Sequence, residues 1–260
     1  MTEESEQDQT AQELTGVELR RLSRRSFLWA GAGVAGSLSL LSVFNKKAPD
    51  DGTGIKKVFR KAHETNEELA KLFVSGRNAP TFPAARAVEP RNNYHGITPE
   101  PDLGSWHLEL RDAQKPDDET LFTMEDLKKL PEVSLTTELK CVEGWSAIVT
   151  WTGCRFVDFA RKYPPLPGTK YVSLRSEPKG FDEAWYYVGL DVESALHPQT
   201  LLAWGMNGQP LTTEHGAPLR LAIPTKYGIK NIKLITNITY ETERPKDYWA
   251  EQGYDFYAGL

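Results

Sequence analysis

Cysteine is scarce in this chain, which has two cysteines, Cys141 and Cys154, among 260 residues. So few thiols exclude a disulfide-dense scaffold and a zinc site built from several cysteines. The absence of a C-x-x-C-H motif excludes a covalently attached c-type haem. Basic residues are outnumbered, with 31 Lys and Arg against 36 Asp and Glu, so the net charge of −5 gives no broad basic field and we expect no nucleic-acid partner. No stretch reaches the roughly 18 uncharged apolar residues of a confident membrane span.

Residues 1–47 have the composition of a targeting segment rather than of a folded core. An acidic tail leads to Ser23–Leu28, which contains two adjacent arginines, and then to the uncharged, weakly apolar run Trp29–Phe44. This pattern is typical of a twin-arginine signal, although Trp29 stands where a basic residue is usual. It predicts passage through the twin-arginine export machinery to the periplasm or cell envelope, and a cofactor inserted before export. Because no clean A-x-A site precedes Asn45, a retained membrane anchor stays open, as does a basic helix end beside a short buried helix.

The remaining chain is predicted to contain a linker and N-terminal helical region over 48–90 and one α+β domain over 91–260. Apolar residues recur at helical spacing from Ile55 to Phe73, and a possible capping box at Thr65 and Glu68 leaves open one helix or two. A short helix is expected between a Thr123 cap and Pro131. Strands alternating with short helices predict a mixed or antiparallel sheet. The expected strands are 106–110, 133–141, 147–151, 171–174, 185–188, 219–223 and 232–240, and a further helix is expected over 155–163.

Cys141 is the first residue with possible chemistry. It ends an apolar-faced strand and begins the run Cys-Val-Glu-Gly-Trp-Ser. It can be a buried core thiol, one half of a disulfide with Cys154, or a metal-binding or nucleophilic thiolate. Spacing alone does not choose between these three interpretations.

Two longer stretches carry a family resemblance. Leu139–Gly153 reads L-K-C-V-E-G-W-S-A-I-V-T-W-T-G, and Leu201–Lys233 contains H-G-A-P-L-R followed by K-Y-G-I-K-N-I-K. In this order they resemble the molybdopterin-binding domain of the sulfite oxidase family, and the closer likeness is to bacterial periplasmic methionine-sulfoxide reductases. The resemblance runs from about Arg91 to the C-terminus. It implies a single molybdopterin-binding domain behind the twin-arginine segment, and a monomer.

The resemblance also implies which residues bind the metal and the cofactor. Cys141 would be the catalytic residue and the one protein ligand to molybdenum, beside the soft dithiolene sulfurs of the pterin. Cys154 would be a small buried hydrophobe. The positions implied to bind the molybdenum–molybdopterin cofactor are Asn92, Asn93, Tyr94, His95, Cys141, Ser176, His215, Arg220, Asn231, Ile232 and Lys233. Without the resemblance, the sequence predicts a solvated basic face formed by Arg220, Lys226, Lys230 and Lys233.

The implied activity is transfer of an oxygen atom to or from a small sulfur- or nitrogen-oxide substrate, free or protein-bound, with methionine sulfoxide reduction as one form. The alternatives are a sulfite dehydrogenase-like enzyme, with Arg175 as an anion ligand and Trp204 near the metal, and a non-catalytic assembly protein that keeps the fold. No haem domain is fused, so electrons are expected from a separate partner, a haem-containing membrane protein. The aromatic tail Tyr248–Tyr257 is either a packing segment that closes the core or a docking surface.

Overall fold

The computed structural model describes residues 37, 39, 42, 43, 47–52, 54–73, 76–92, 102–176 and 186–260. The arginine pair within Ser23–Leu28 and most of the apolar run after it lie outside these residues. One compact unit, Val58–Leu260, contains every strand named below. In the preceding chain, Asp50 and Lys56 pair as an isolated antiparallel bridge. Within the described residues, no helix has both the length and the apolar character needed to cross a membrane.

The described residues form two sheets and a few short helices. The strands are β1 Leu108–Asp112, β2 Lys115–Phe122, β3 Glu132–Lys140, β4 Ser146–Arg155, β5 Tyr171–Ser176, β6 Tyr187–Asp191, β7 Leu201–Met206, β8 Gln209–Pro210, β9 Arg220–Ala222 and β10 Ile235–Glu241. The α-helices are α1 Lys57–Phe73, α2 Met124–Lys128, α3 Phe156–Lys162, α4 Val192–Ala195 and α5 Tyr248–Glu251, and 3₁₀ turns occur at Ala84–Arg86, Thr213–His215 and Gly228–Lys230.

The first sheet has the strand order β2-β1-β10-β5-β6 and is mixed, because β1 runs parallel to β10 while the other pairs are antiparallel. The second sheet has the order β3-β4-β7-β8, with β9 also paired to β7, and is antiparallel throughout. The predicted α+β class with a mixed sheet is therefore confirmed, but the strands divide between two sheets. The larger apolar core takes side chains from both sheets and from α2 and α3.

Local signals account for the elements that were predicted. Helix α2 begins at a Thr123 cap, whose hydroxyl accepts a hydrogen bond from the Asp126 amide while the Asp126 carboxylate accepts one from the Thr123 amide. Such a reciprocal box satisfies two amides at the helix start. Gly153 lies where β4 meets β7, and a Cβ there would stand 2.0 Å from the Leu202 carbonyl oxygen. This close approach admits glycine alone.

Helix α1 is one continuous helix, so the two-helix alternative is wrong. The Thr65 hydroxyl donates a 3.0 Å hydrogen bond to the Lys61 carbonyl one turn earlier and caps no second helix. The helix packs through a polar face centred on Glu67, which is 4% exposed. Val58, Leu69 and Leu72, the apolar residues that predicted the helix, stay solvent-exposed.

The C-terminal segment packs against the domain. Phe256, Tyr257 and Ala258 are buried. Asp247 accepts a 2.5 Å hydrogen bond from the Lys230 ammonium, and both side chains are almost fully buried. The aromatic tail is therefore joined to the 3₁₀ turn that precedes Lys233.

Candidate active site

Cys141 occupies a rigid loop at the end of the β3–β4 hairpin. Its amide donates to the Trp145 carbonyl at 2.9 Å, and its carbonyl accepts from the Gly144 amide at 3.1 Å. Gly144 has φ +86°, a conformation that glycine adopts readily. The strand register runs unbroken to the Lys140–Ser146 pair, so the hairpin holds the half-buried thiol at a fixed place.

Protonation of the Cys141 thiol depends on what binds there. Burial raises the pKa of Cys141, and the backbone amides of Glu143 and Val142 act in the opposite direction. A thiol with a raised pKa is mostly protonated at neutral pH and becomes a ligand when a metal displaces its proton.

Cys154 lies at the far end of the same hairpin and is free, as is Cys141. It pairs with Glu132, nine residues along β3 from Cys141, which corresponds to about 30 Å of strand. A disulfide needs Cα atoms within about 7 Å, so that interpretation of the two cysteines is wrong. Burial raises the pKa of Cys154 to about 12, as expected for an inert core thiol.

Arg220 is a buried cation, 3% exposed. Its two terminal nitrogens donate to the carbonyls of His215 and Asn231 at 2.9 and 3.2 Å, and its guanidinium lies 4.4 Å from the centroid of a Trp151 ring. Its Nε has no hydrogen-bond partner among the described residues. Burial lowers the pKa of Arg220 to about 9, so the folded chain holds this charge at a cost.

Lys233 is a second buried cation beside Arg220. Burial and the nearby Arg220 charge together lower the pKa of Lys233 to about 7. Its ammonium donates to the Asn92 side-chain carbonyl, and the Asn92 amide donates to the Glu214 carbonyl at 2.8 Å. Two like charges buried together are stabilised by an anion, and a phosphate suits Arg and Lys well.

Gly216 lies in close contact with the backbone and Cβ of Lys233. It has φ +93°, and a Cβ there would meet the Lys233 Cβ at 2.6 Å. Its carbonyl accepts a 3.2 Å hydrogen bond from the Leu234 amide. The glycine of the H-G-A-P-L-R run therefore lets the loop that carries His215 press against Lys233.

A cavity joins five of the eleven predicted site residues. Cys141, His215, Arg220, Asn231 and Lys233 line it together, beneath the hairpin loop. Four aromatic side chains that the sequence did not assign to the site also line it: Trp145, Tyr186, Trp249 and Tyr254. A thiol ligand at one side and two buried cations, one with an unsatisfied Nε, fit a molybdopterin whose phosphate is anionic.

Other predicted residues are placed less directly. The Ser176 hydroxyl is buried, donates to the Tyr186 carbonyl at 3.2 Å and does not line the cavity. The Asn231 side chain forms its hydrogen bonds within the loop. Its Oδ1 accepts from the backbone amide of Ile223, and its Nδ2 donates to the Tyr227 carbonyl. The Ile232 side chain lies in the core. Asn93, Tyr94 and His95 lie outside the described residues.

The alternative prediction of a solvated basic face is wrong, because Lys226 and Lys230 are buried as well. Lys226 lies 3.8 Å from an Asp191 oxygen and 2.8 Å from the centroid of the Tyr257 ring, and burial lowers its pKa to about 7. Lys230 is paired with Asp247. These two lysines join the loop to its surroundings. Arg220 and Lys233 are therefore the buried cations at the cavity, and the exposed Arg91 also lines it.

A second and more open cavity, of about 680 Å³, also adjoins Cys141. Its described lining includes His63, Lys140, Cys141, Val142, Trp145, Tyr227, Tyr254 and Asp255. Arg175 is exposed on β5 and lines neither cavity, and Trp204 donates to Glu132 at the opposite end of β3. The expectation that Trp204 lies near the metal is therefore wrong, and Arg175 does not reach the mouth as an anion ligand.

Comparison with known proteins agrees with this geometry. A family model described as the oxidoreductase molybdopterin binding domain matches residues 95–249. The chain belongs to this family. It is 34% identical over 241 residues to a protein named protein-methionine-sulfoxide reductase subunit YedZ1 of Azospira oryzae, covering 91% of this chain and 88% of that protein. It is 30% identical to the protein-methionine-sulfoxide reductase catalytic subunit MsrP of Campylobacter jejuni, covering 91% and 80%.

A solved structure shares the fold. The sulfane dehydrogenase SoxCD from Paracoccus pantotrophus superposes with a TM-score of 0.52 at 18% identity, over 65% of this chain and 49% of that chain. The chain thus spans about half the length of that solved chain. As a member of the family, the chain is a molybdenum–molybdopterin oxidoreductase of the sulfite oxidase type. When bound, this cofactor would supply exchange of an oxygen atom and two electrons, while the protein would hold and orient it.

Proposed function

We propose that this oxidoreductase reduces sulfoxides, with methionine sulfoxide as its leading substrate, in the periplasm. Reduction converts R₂S=O, two electrons and two protons into R₂S and water. The observation that carries the proposal is the chemistry of the open cavity beside Cys141. The names of the relatives at 34% and 30% identity support the same reaction class.

The open cavity suits a neutral substrate. No arginine lines it among the described residues. The ammonium of Lys140 lies 3.7 Å from a Glu138 carboxylate oxygen, which balances its charge, and Asp255 adds a negative charge. A sulfite anion would need convergent cations in this place, because a desolvated anion is stabilised by charged donors. The sulfite dehydrogenase-like alternative fits this mouth less well.

The chain's own residues have separable roles in the proposed enzyme. The hairpin loop fixes Cys141 as the metal ligand. Arg220 and Lys233 hold the anionic end of the cofactor, and His215 contributes its carbonyl to the placement of Arg220. The positions Asn93, Tyr94, His95, Ser176 and Ile232 are proposed as further cofactor contacts on the family resemblance.

Export and electron supply complete the proposal. Residues 1–47 would be the acidic tail and twin-arginine signal or anchor, 48–90 the linker and helical region, and 91–260 the cofactor-binding domain. The relatives are named as subunits, which supports a separate partner. We take this partner to be a haem-containing membrane protein that delivers electrons to the monomeric chain.

The test uses the full chain purified with its cofactor, with molybdenum and pterin measured first. A reduced viologen dye then supplies the electrons with which the enzyme reduces methionine sulfoxide, a peptide containing it, or an N-oxide. Sulfite oxidation is followed separately, with ferricyanide as the electron acceptor. We expect the sulfoxides to be reduced and sulfite to be left unoxidised, with Cys141→Ser as the inactive control. Sulfite oxidation faster than sulfoxide reduction would overturn the direction and the substrate class.

A further inference from the structure

The open cavity beside Cys141 has one wall that comes from outside the family domain. The family model begins at residue 95, whereas His63 belongs to α1. His63 nevertheless lines the same cavity as Cys141, Trp145 and Tyr254. The segment before the family domain therefore completes the mouth.

Helix α1 is held in this position by ion pairs to the buried carboxylate of Glu67, one turn from His63. Glu67 lies four residues later, on the same helix face. Its carboxylate accepts from Lys71 at 2.7 Å and from Arg244, far along the chain, at 2.8 Å. The orientation of α1 is thus set by its polar face, and His63 is directed to the cavity side while Leu69 and Leu72 remain exposed.

Two charged groups around the mouth are already engaged. Lys140 is balanced by Glu138, and the Asp255 carboxylate accepts from the amides of Tyr257 and Ala258 at 3.1 Å each. Tyr254 lines both cavities, so it lies in the wall that the mouth shares with the cofactor cavity. His63 remains as the polar side chain that α1 contributes to the outer wall.

We propose that His63 is a substrate-binding residue that donates a hydrogen bond to the oxygen of a sulfur oxide. This inference rests on the proposed function. A sulfoxide oxygen is a hydrogen-bond acceptor, and the sulfide product has lost that oxygen. The contact therefore favours substrate over product, which helps binding and subsequent release.

The test compares His63→Leu, which has no donor, with His63→Gln, which keeps one, in the cofactor-loaded full chain. We expect His63→Leu to raise the KM for methionine sulfoxide roughly 3- to 10-fold, the effect of one neutral hydrogen bond, with kcat little changed. His63→Gln should restore most of the loss. His107→Leu is the control, because His107 is a histidine that does not line the cavity. Equal KM values for wild type and His63→Leu would overturn the inference while leaving the proposed function standing.

A binding measurement decides the question independently of turnover. The histidine rings are labelled with ¹⁵N, and methionine sulfone is added as a probe that retains acceptor oxygens. We expect the ring signals of His63, assigned with His63→Gln, to shift while those of His107 do not. A shift in a chain that reduces no sulfoxide would support the binding role and refute the proposed function; no shift of His63 would refute the binding role.

Discussion

Replacing Lys233 by methionine should stabilise the cofactor-free protein and weaken its hold on the cofactor. Lys233 is 8% exposed and lies beside Arg220, so the cofactor-free fold carries a charge that burial disfavours. A fall in pKa from 10.5 to about 7 corresponds to at most about 5 kcal/mol, at about 1.4 kcal/mol per pKa unit. Loss of the contact to Asn92 offsets part of this gain, so we expect a net gain of about 1–3 kcal/mol in the free energy of unfolding.

The lowered pKa of Lys233 also determines whether the free energy of unfolding of the cofactor-free protein rises or falls with pH. Between pH about 7 and 10.5, the unfolded chain keeps a proton on Lys233 that the folded cofactor-free chain has released. Stability therefore rises with pH through this window and is independent of this group below it. Lys233→Met should flatten that rise. In the loaded protein the anionic phosphate favours the charged lysine, so the rise should also be smaller there.

Lys230→Met is the matched control, three residues away in the same loop. Lys230 is buried more deeply, at 1% exposed, but is paired with Asp247, so its removal leaves a buried carboxylate without its cation. We expect this control to lose about 3–5 kcal/mol with or without cofactor. The assay is urea unfolding of protein made in a host that cannot synthesise the pterin, with molybdenum and pterin content measured in a normal host. If Lys233→Met destabilises the cofactor-free chain as Lys230→Met does and retains full cofactor, the anion site is wrongly assigned.

The remaining predictions concern separate parts of the chain. Cys141→Ser should fold and be exported but lose molybdenum and turnover, and wild-type activity would remove the thiolate from the mechanism. Cys154→Ala should keep metal content and activity and lose roughly 1–2 kcal/mol in urea unfolding; a loss of metal would contradict its core role. Gly216→Ala should lose at least about 2 kcal/mol and most of its cofactor, because a Cβ at positive φ meets Lys233; unchanged melting would refute this. Arg24→Lys with Arg25→Lys should leave the protein, still loaded, in the cytoplasmic fraction, and normal export would make the segment an ordinary signal or anchor.

The hairpin that carries Cys141 was predictable because its strands alternate and its turn contains glycine. The alternation from Val133 to Cys141 is a local property, and β3 ends within one residue of the predicted position. Three strands were missed, and one of them, β8, has only two residues. β2 is an acidic edge strand with seven of its eight residues exposed, and β7 is covered on both faces, so neither shows the alternation of a half-buried strand.

The burial of the cations near the site could not be predicted from the local sequence pattern. Arg220, Lys226, Lys230 and Lys233 follow one another at spacings that a solvated loop would also have, and the sequence alone favours that reading. Lys226 and Lys230 are buried beside Asp191 and Asp247, which lie elsewhere in the chain and are brought close by the fold. The family resemblance assigned Arg220 and Lys233 to the cofactor, but the aromatic wall formed by Trp249 and Tyr254 had no local signal beyond an aromatic-rich tail.

Helix α1 is the case in which the pattern identifies the element but not the face that docks. Amphipathic spacing predicts a helix on the expectation that the apolar face is buried, because burial of apolar area usually outweighs a surface ion pair. In α1 the buried carboxylate of Glu67 has two cationic partners, and one of them, Arg244, comes from the C-terminal region. A carboxylate paired twice can offset its desolvation, so electrostatics rather than apolar burial decides which face docks. The same choice of face brings His63 to the substrate mouth, and a helix docked by Leu69 and Leu72 would have turned that imidazole away from it.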